Sequence, residues 1–257
     1  MPRRAREKSG SGIYHIVFRG TNKQEIFHDE EDNQKFIETL ERFKKASRVK
    51  VHGWCLMDNH VHILLREGEE ELSATMKRIL VSYAWHYNNK YISTGHLFQD
   101  RYWSEKVDSN EYLLTVIRYI HQNPIKAGMV KKVSDWKWSS CQGYYGQKIY
   151  PLGLLDSEFI LEIFSNSKEI AIKKFIEFNE IENEDVCLED NKSVKLNDKE
   201  AKLEISKIIP LSEIAIIKSM PKADRDILIR KIKAIEGISQ RQAARILGVA
   251  PNLILRS

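Results

Sequence analysis

The chain of 257 residues contains only three cysteines, Cys55, Cys141 and Cys187, scattered and odd in number. That scarcity argues against a disulfide framework or a cysteine-rich zinc site and fits a reducing compartment. Long hydrophobic runs are also missing, so nothing approaches membrane-spanning length. The basic start, Met1-Pro-Arg-Arg-Ala-Arg6, is not followed by the apolar region of a signal peptide. The expectation is a soluble, cytoplasmic protein with no membrane partner.

A strong overall charge is lacking too, since the net value is only +5. Its distribution is uneven. Residues 1–150 carry 24 basic and 18 acidic side chains, a net of +6. Residues 151–222 carry 10 and 15, a net of −5, and residues 223–257 carry 7 and 3, a net of +4. Both ends suit a polyanion and the middle does not. Hydrophobic residues make up 42%, enough for a real core in one large domain or two smaller ones.

Residues 1–12 are basic and rich in Gly and Ser, which suggests a mobile arm. Ile13 to Arg19 is β-branched and aromatic and predicts a strand. Phe36, Ile37, Leu40 and Phe43 recur at helical spacing behind an acidic cluster at Asp29–Asp32. Val49–Met57 and His60–Arg66 predict two more strands around a turn at Asp58-Asn59. Leu72, Met76, Ile79, Leu80, Tyr83 and Tyr87 mark a second helix, and Leu97–Val107 contains a fourth strand. Glu111–Gln122 predicts a third helix, stopped by Pro124. The order β-α-β-β-α-β plus a helix predicts an α+β fold: a ferredoxin-like (split βαβ) antiparallel sheet with helices on one face.

His60 and His62 stand two apart on the third strand, so they project side by side. Neutral imidazoles in that arrangement form half of a divalent-metal site. On the third helix, Tyr112, Tyr119 and Asn123 cluster within about 40° on the flank of the buried stripe. Lys77, Arg78, Arg101 and Arg118 are candidates for holding backbone phosphates. Tyr102 and Trp103 are candidates for stacking on unpaired bases.

His60-Val-His62 followed by Tyr119-Ile-His-Gln-Asn-Pro124 resembles the HUH single-tyrosine transposases, including the REP-associated tyrosine transposases of bacteria. Gly95-His-Leu-Phe-Gln-Asp-Arg-Tyr102, Asn123-Pro-Ile-Lys-Ala-Gly128-Met-Val and Trp136-Lys-Trp-Ser-Ser140 extend the resemblance over about residues 10–150. It implies that His60 and His62 hold Mg²⁺ or Mn²⁺ and that Tyr119 is the nucleophile on single-stranded DNA. The reaction would pass through a 5′-phosphotyrosine link. Asn123 would complete the metal site, although related insertion-sequence enzymes carry glutamine there and Gln122 is the rival. Implied partners are DNA hairpins or palindromic repeats, with a homodimer possible.

Beyond residue 150 the pattern changes. Leu152–Phe178 predicts helix, and residues 179–198 are acidic with little periodicity, a linker or mobile loop. Ser239-Gln-Arg-Gln242 has the form of a capping box. Ala243, Ala244, Leu247, Gly248, Val249 and Pro251 then continue as a helix-turn-helix, whose DNA-facing candidates are Arg241 and Asn252. The expected division is a catalytic domain at 1–150, a helical and acidic connecting region at 151–222 and a DNA-binding segment at 223–257. A non-catalytic DNA-binding regulator with the same fold is the competing reading.

Overall fold

Seven β-prone residues, Ile13–Arg19, form strand β1 in the computed structural model of the chain. The structure describes residues 7–185, 187, 196, 198–210, 214, 216–217, 220–235, 237–250 and 253–254. Strand β2 (Lys50–Met57) and strand β3 (His60–Arg66) form a hairpin, and β4 (Trp103–Lys106) lies at the far edge. The sheet order is β2-β3-β1-β4, with every neighbouring pair antiparallel.

Side-chain alternation divides the sheet. Tyr14, Ile16 and Phe18 of β1 and Val61, Ile63 and Leu65 of β3 face helices α1 (Glu30–Ser47) and α2 (Leu72–Lys90). Each fully buried Ile or Leu there contributes about 1.5–3 kcal/mol. Helix α1 begins where Asp29 accepts a hydrogen bond from the Asp32 amide at 3.0 Å. Asp32 itself is fully buried, accepting from Tyr91 Oη at 2.6 Å and Lys90 Nζ at 3.0 Å.

The opposite face is also covered, which corrects the expectation of helices on one face. Helix α3 (Asn110–Lys126) lays Leu113, Val116, Ile117 and Ile120 on Ile13, Cys55, Met57 and Leu64. Pro124 does not stop this helix, because it sits in the last turn and deletes only one backbone donor. The Ala127 amide still reaches the Asn123 carbonyl at 2.9 Å. Gly53 of β2 lets α3 settle, since a Cβ there would stand 2.3 Å from Ile117 Cδ1.

The part after α3 is less helical than its composition suggests. A short helix α4 (Cys141–Tyr144) is followed by α5 (Glu158–Leu161) and α6 (Lys168–Asn179). Ile160, Leu161, Ala171 and Phe175 join the α3 core. His121 of α3 is wholly buried there, with Nε2 2.8 Å from Ser140 Oγ and Nδ1 3.2 Å from Asn179 Oδ1. Burial lowers its pKa from 6.5 to about 3, and burial lowers that of His52 as well. The expected N-terminal arm is partly anchored: Ser9 Oγ and the Gly10 amide both donate to Asp108 Oδ1, at 2.6 and 2.9 Å. Residues 1–6 lie outside the described residues.

By its internal packing the chain divides into two units, Ala5–Asp190 and Asn191–Ser257. The second contains α7 (Asp198–Ser206), α8 (Lys222–Lys233) and α9 (Gln240–Leu247) around Ile205, Ile229, Ile232, Ala244 and Leu247. Ser239 caps α9 by accepting from the Gln242 amide at 3.1 Å. The Gln242 side chain does not close the expected box; it donates to the Leu196 carbonyl and Asp198 Oδ1. Gly248 ends the helix with φ +63. No described helix is long and apolar enough to cross a membrane.

Two stability outcomes follow. His121 and His52 stay neutral in the fold but protonate in the unfolded chain below pH 6.5. The contribution of His121 is therefore intact above pH 6.5 and lost progressively as pH falls towards 3, and that of His52 is lost in the same direction. Each group accounts for up to about 1.4 kcal/mol per pH unit. Urea titrations at pH 7.5 and 5 should show the loss, and His121→Gln should flatten it. Separately, Gly53→Ala should destabilise by about 1–3 kcal/mol through overpacking, with partial rescue by Ile117→Val, which removes the crowded methyl. A Gly53→Ala protein as stable as the parent would show that α3 adjusts without strain.

Candidate functional site

Strand register builds the site. Cross-strand partners share a face, and β1 pairs with β3 as Val17↔His62 and Arg19↔His60, and with β4 as His15↔Glu105 and Val17↔Trp103. The α3 face therefore presents His15, Arg19, His60, His62, Trp103 and Glu105. Three of these, His15, Arg19 and Glu105, were not singled out in the sequence. Period-two spacing from His15 to Arg19 was readable, but the pairing that sets them beside the histidine strand was not.

The imidazoles are close. The His60 and His62 ring centroids are 5.1 Å apart, and those of His15 and His62 are 5.3 Å apart and stacked at 18°. His60 Nδ1 lies 2.6 Å from Asn59 Oδ1, and His62 Nδ1 lies 3.1 Å from His15 Nε2. Both histidines thus engage Nδ1 locally, a pattern that suits coordination through Nε2. Among the described residues, no three His, Cys, Asp or Glu side chains form a metal cage. The donor set fits an open site with two imidazole nitrogens, to which substrate oxygens add.

Tyr119 meets this cluster from α3. Its ring centroid lies 5.6 Å from His62 and 6.0 Å from His15, edge-on to both. It is only 2% exposed, more deeply buried than a flank position predicts. Lys126 Nζ sits 4.9 Å from the same ring. Asn123, one turn on, donates through Nδ2 to the Tyr119 carbonyl at 2.9 Å. Gln122 turns elsewhere, donating to the Asn179 and Ile181 carbonyls and accepting from Asn183. Those bonds make Gln122 an anchor between α3 and residues 179–183. Burial and then the Glu105 carboxylate raise the pKa of Tyr112, disfavouring its anion.

The other candidates scatter. Trp103 borders the site, 37% exposed, with the Arg19 guanidinium 4.8 Å above its ring. Arg101 is exposed just before β4. Tyr102 is buried in the core beneath α1 and α2, which leaves no ring face for a base. Lys77 and Arg78 ride on α2, across the sheet from the histidines. Lys77 is exposed, while Arg78 pairs with Glu70 and donates to Ser47 Oγ at 2.7 Å. Arg118 is clasped by Asp185 at 2.7 and 3.0 Å and covers Phe178. The described residues at 179–185 are consequently docked on α3, a correction to the expected linker. Arg241 is exposed on α9 of the other unit, and Asn252 lies outside the described residues.

Paired histidines on a central strand facing a helix tyrosine define a class. The N-terminal part of the chain matches, over residues 9–123, the family model described as transposase IS200 like. It shows distant homology to REP-associated tyrosine transposases. That of Escherichia coli (strain K12) is 25% identical over 113 residues, spanning 43% of this chain and 66% of that protein. A Haemophilus influenzae relative of the same type is 28% identical over 109 residues, spanning 38% of this chain and 61% of that one. The chain thus spans about two thirds of the length of the curated relatives it matches. A solved REP-associated tyrosine transposase bound to a REP hairpin aligns with 59% of this chain and 89% of its own, at 19% identity and TM-score 0.48.

The Arg118–Asp185 clasp is mostly buried, at 14% and 13% side-chain exposure. Breaking it by Asp185→Ala should cost about 3 kcal/mol, because a buried guanidinium loses its partner. The double variant Arg118→Met, Asp185→Ala should cost less than the sum of the singles in urea unfolding. Strict additivity would show that the pair is not energetically coupled.

Proposed function

We propose that the N-terminal unit is a single-stranded DNA endonuclease and strand transferase acting through Tyr119. The observation that carries this reading is the Tyr119 ring packed on His62 inside the segment that matches the transposase family. We read the sheet with α1 and α2 as a ferredoxin-like split βαβ core that holds the histidine pair rigid. The homology to REP-associated tyrosine transposases supports DNA as substrate, and a palindromic hairpin is the form we expect to be recognised.

In this reading the Tyr119 phenolic oxygen attacks the scissile phosphorus and loses its proton. The bond to the 3′ oxygen breaks, giving a 5′-phosphotyrosine and a free 3′-hydroxyl. The ester is conserved, so a 3′-hydroxyl can later reverse the step and rejoin the strand without ATP. His60 and His62, with Asn123, would hold Mg²⁺ or Mn²⁺. When bound, that ion polarises the phosphate and offsets the charge developing on its oxygens. Tyr119 is preferred to Tyr112 because Tyr112 faces a carboxylate and Tyr119 faces imidazoles. Because Tyr119 is covered, a phosphate reaches it only after local opening around α3. In this reading Arg19 and Trp103, which share the histidine face, would meet phosphate and base in place of Tyr102 and Arg78.

The second unit is read as the DNA-affinity part. Its capped α9 and the Gly248 turn support a helix-turn-helix, and the basic balance of residues 223–257 suits a polyanion. A homodimer is compatible with this arrangement.

Labelled single-stranded DNA carrying a palindromic hairpin, incubated with Mn²⁺ and the full chain, should give a band resistant to denaturation. Peptide mapping should place the DNA on Tyr119. Tyr119→Phe should remove the band while DNA binding persists, and Tyr112→Phe should keep it. Cleavage without any adduct would assign the reaction to water. DNA binding without cleavage would favour the regulator.

A further inference from the structure

We infer that Glu105 and His15 are positioning residues that select the metal-competent tautomer of His62. This rests on the proposed metal role of His60 and His62. His15 is wholly buried on β1, its Nε2 3.1 Å from His62 Nδ1. Its other nitrogen, Nδ1, faces Glu105 Oε2 on β4 at 4.0 Å. The two are cross-strand partners, so the spacing is set by the sheet. The charge of Glu105 is also felt at Tyr112, whose pKa burial and then this carboxylate raise.

Two neutral imidazoles joined by one N···N bond can share its proton in two ways. In the first, His62 Nδ1–H donates to His15 Nε2. His62 Nε2 then carries the lone pair a metal needs, and His15 carries its own proton on Nδ1, towards the Glu105 carboxylate. In the second, His15 Nε2–H donates to His62 Nδ1. His62 is then protonated on Nε2, which blocks coordination, and the His15 Nδ1 lone pair opposes the carboxylate. The negative charge of Glu105 favours the first arrangement.

His60 needs no such help. Its Nδ1 faces Asn59 Oδ1, an atom that can only accept, and Asn59 Nδ2 is oriented by donating to the Lys23 carbonyl. The tautomer of His60 is fixed by one residue. For His62 the contact with His15 permits either tautomer, and the Glu105 carboxylate favours one of them. Partners of this kind behind ligating histidines change metal affinity by about 10–100-fold.

The test uses the full chain and Mn²⁺ alone. In the metal-free protein, ¹⁵N NMR of labelled histidine should show His62 protonated on Nδ1, and Glu105→Gln should shift it towards the Nε2–H form. Calorimetry should show Mn²⁺ affinity falling about 10–100-fold in Glu105→Gln and His15→Phe. His15→Gln, which keeps an acceptor, should restore most of that loss. Glu105 lies at the sheet edge, so its variant tests the idea even where a His15 variant fails to fold. A predominant Nε2–H tautomer in the parent, or unchanged affinity in Glu105→Gln, overturns the proposal. His62→Ala separates the two readings. If it retains Mn²⁺ affinity, the metal role itself fails and the proposal with it. If it loses affinity while Glu105→Gln does not, only the positioning role fails.

Discussion

The antiparallel register of β1 against β3 is the constraint on which the first unit depends. With Ile16 opposite Ile63 and Arg19 opposite His60, one face of the central pair is apolar and the other carries the imidazoles. A one-residue slip would turn Ile16 and Ile63 away from α1 and α2 and drive histidines into their core. Burying an imidazole among aliphatic side chains that offer no hydrogen bond carries a desolvation cost. The hydrophobic face therefore fixes where the chemistry-bearing face points.

That second face is not simply open to solvent. Helix α3 covers part of it with an apolar stripe, and Gly53 removes the methyl that would hold Ile117 off the strand. Tyr119 lies two residues beyond Ile117, on the edge of the stripe, so its approach to His62 follows from how closely α3 seats. The other side of α3 is held by residues 178–185, through Arg118, Gln122 and Lys126. Packing on one side and hydrogen bonds on the other thus place one phenol against two imidazoles.

Much of this was legible in the sequence where periodicity was strong. Strand His60–Arg66 and strand Ile13–Arg19 have the limits the pattern predicts, because β-branched runs end abruptly at polar or glycine residues. The proximity of His62 and Tyr119 was accessible only through the family resemblance, since no local pattern links residues so far apart. What escaped was contact across the sheet. His15 and Glu105 look ordinary in their own segments, and only the β1–β4 register joins them. Charge was the poorest guide: Arg78 and Arg118 read as phosphate ligands, yet both have carboxylate partners within the fold. Pro124 misled because a proline's effect depends on how many helical bonds remain beyond it.

The two tyrosines of α3 show how different the surroundings of identical groups on one helix can be. Tyr112 and Tyr119 lie two turns apart on one helix face. Tyr112 is partly desolvated and lies near the Glu105 carboxylate, conditions that stabilise the phenol and oppose the phenolate. Tyr119 has imidazole edges on one side and the Lys126 ammonium over its ring. Neither neighbour is anionic, and the ammonium favours negative charge nearby. The same carboxylate that disfavours an anion at Tyr112 faces His15, whose ring abuts His62. One acidic side chain is thereby felt in two directions along the sheet: it disfavours an anion at Tyr112 and faces the histidine whose ring stacks on His62.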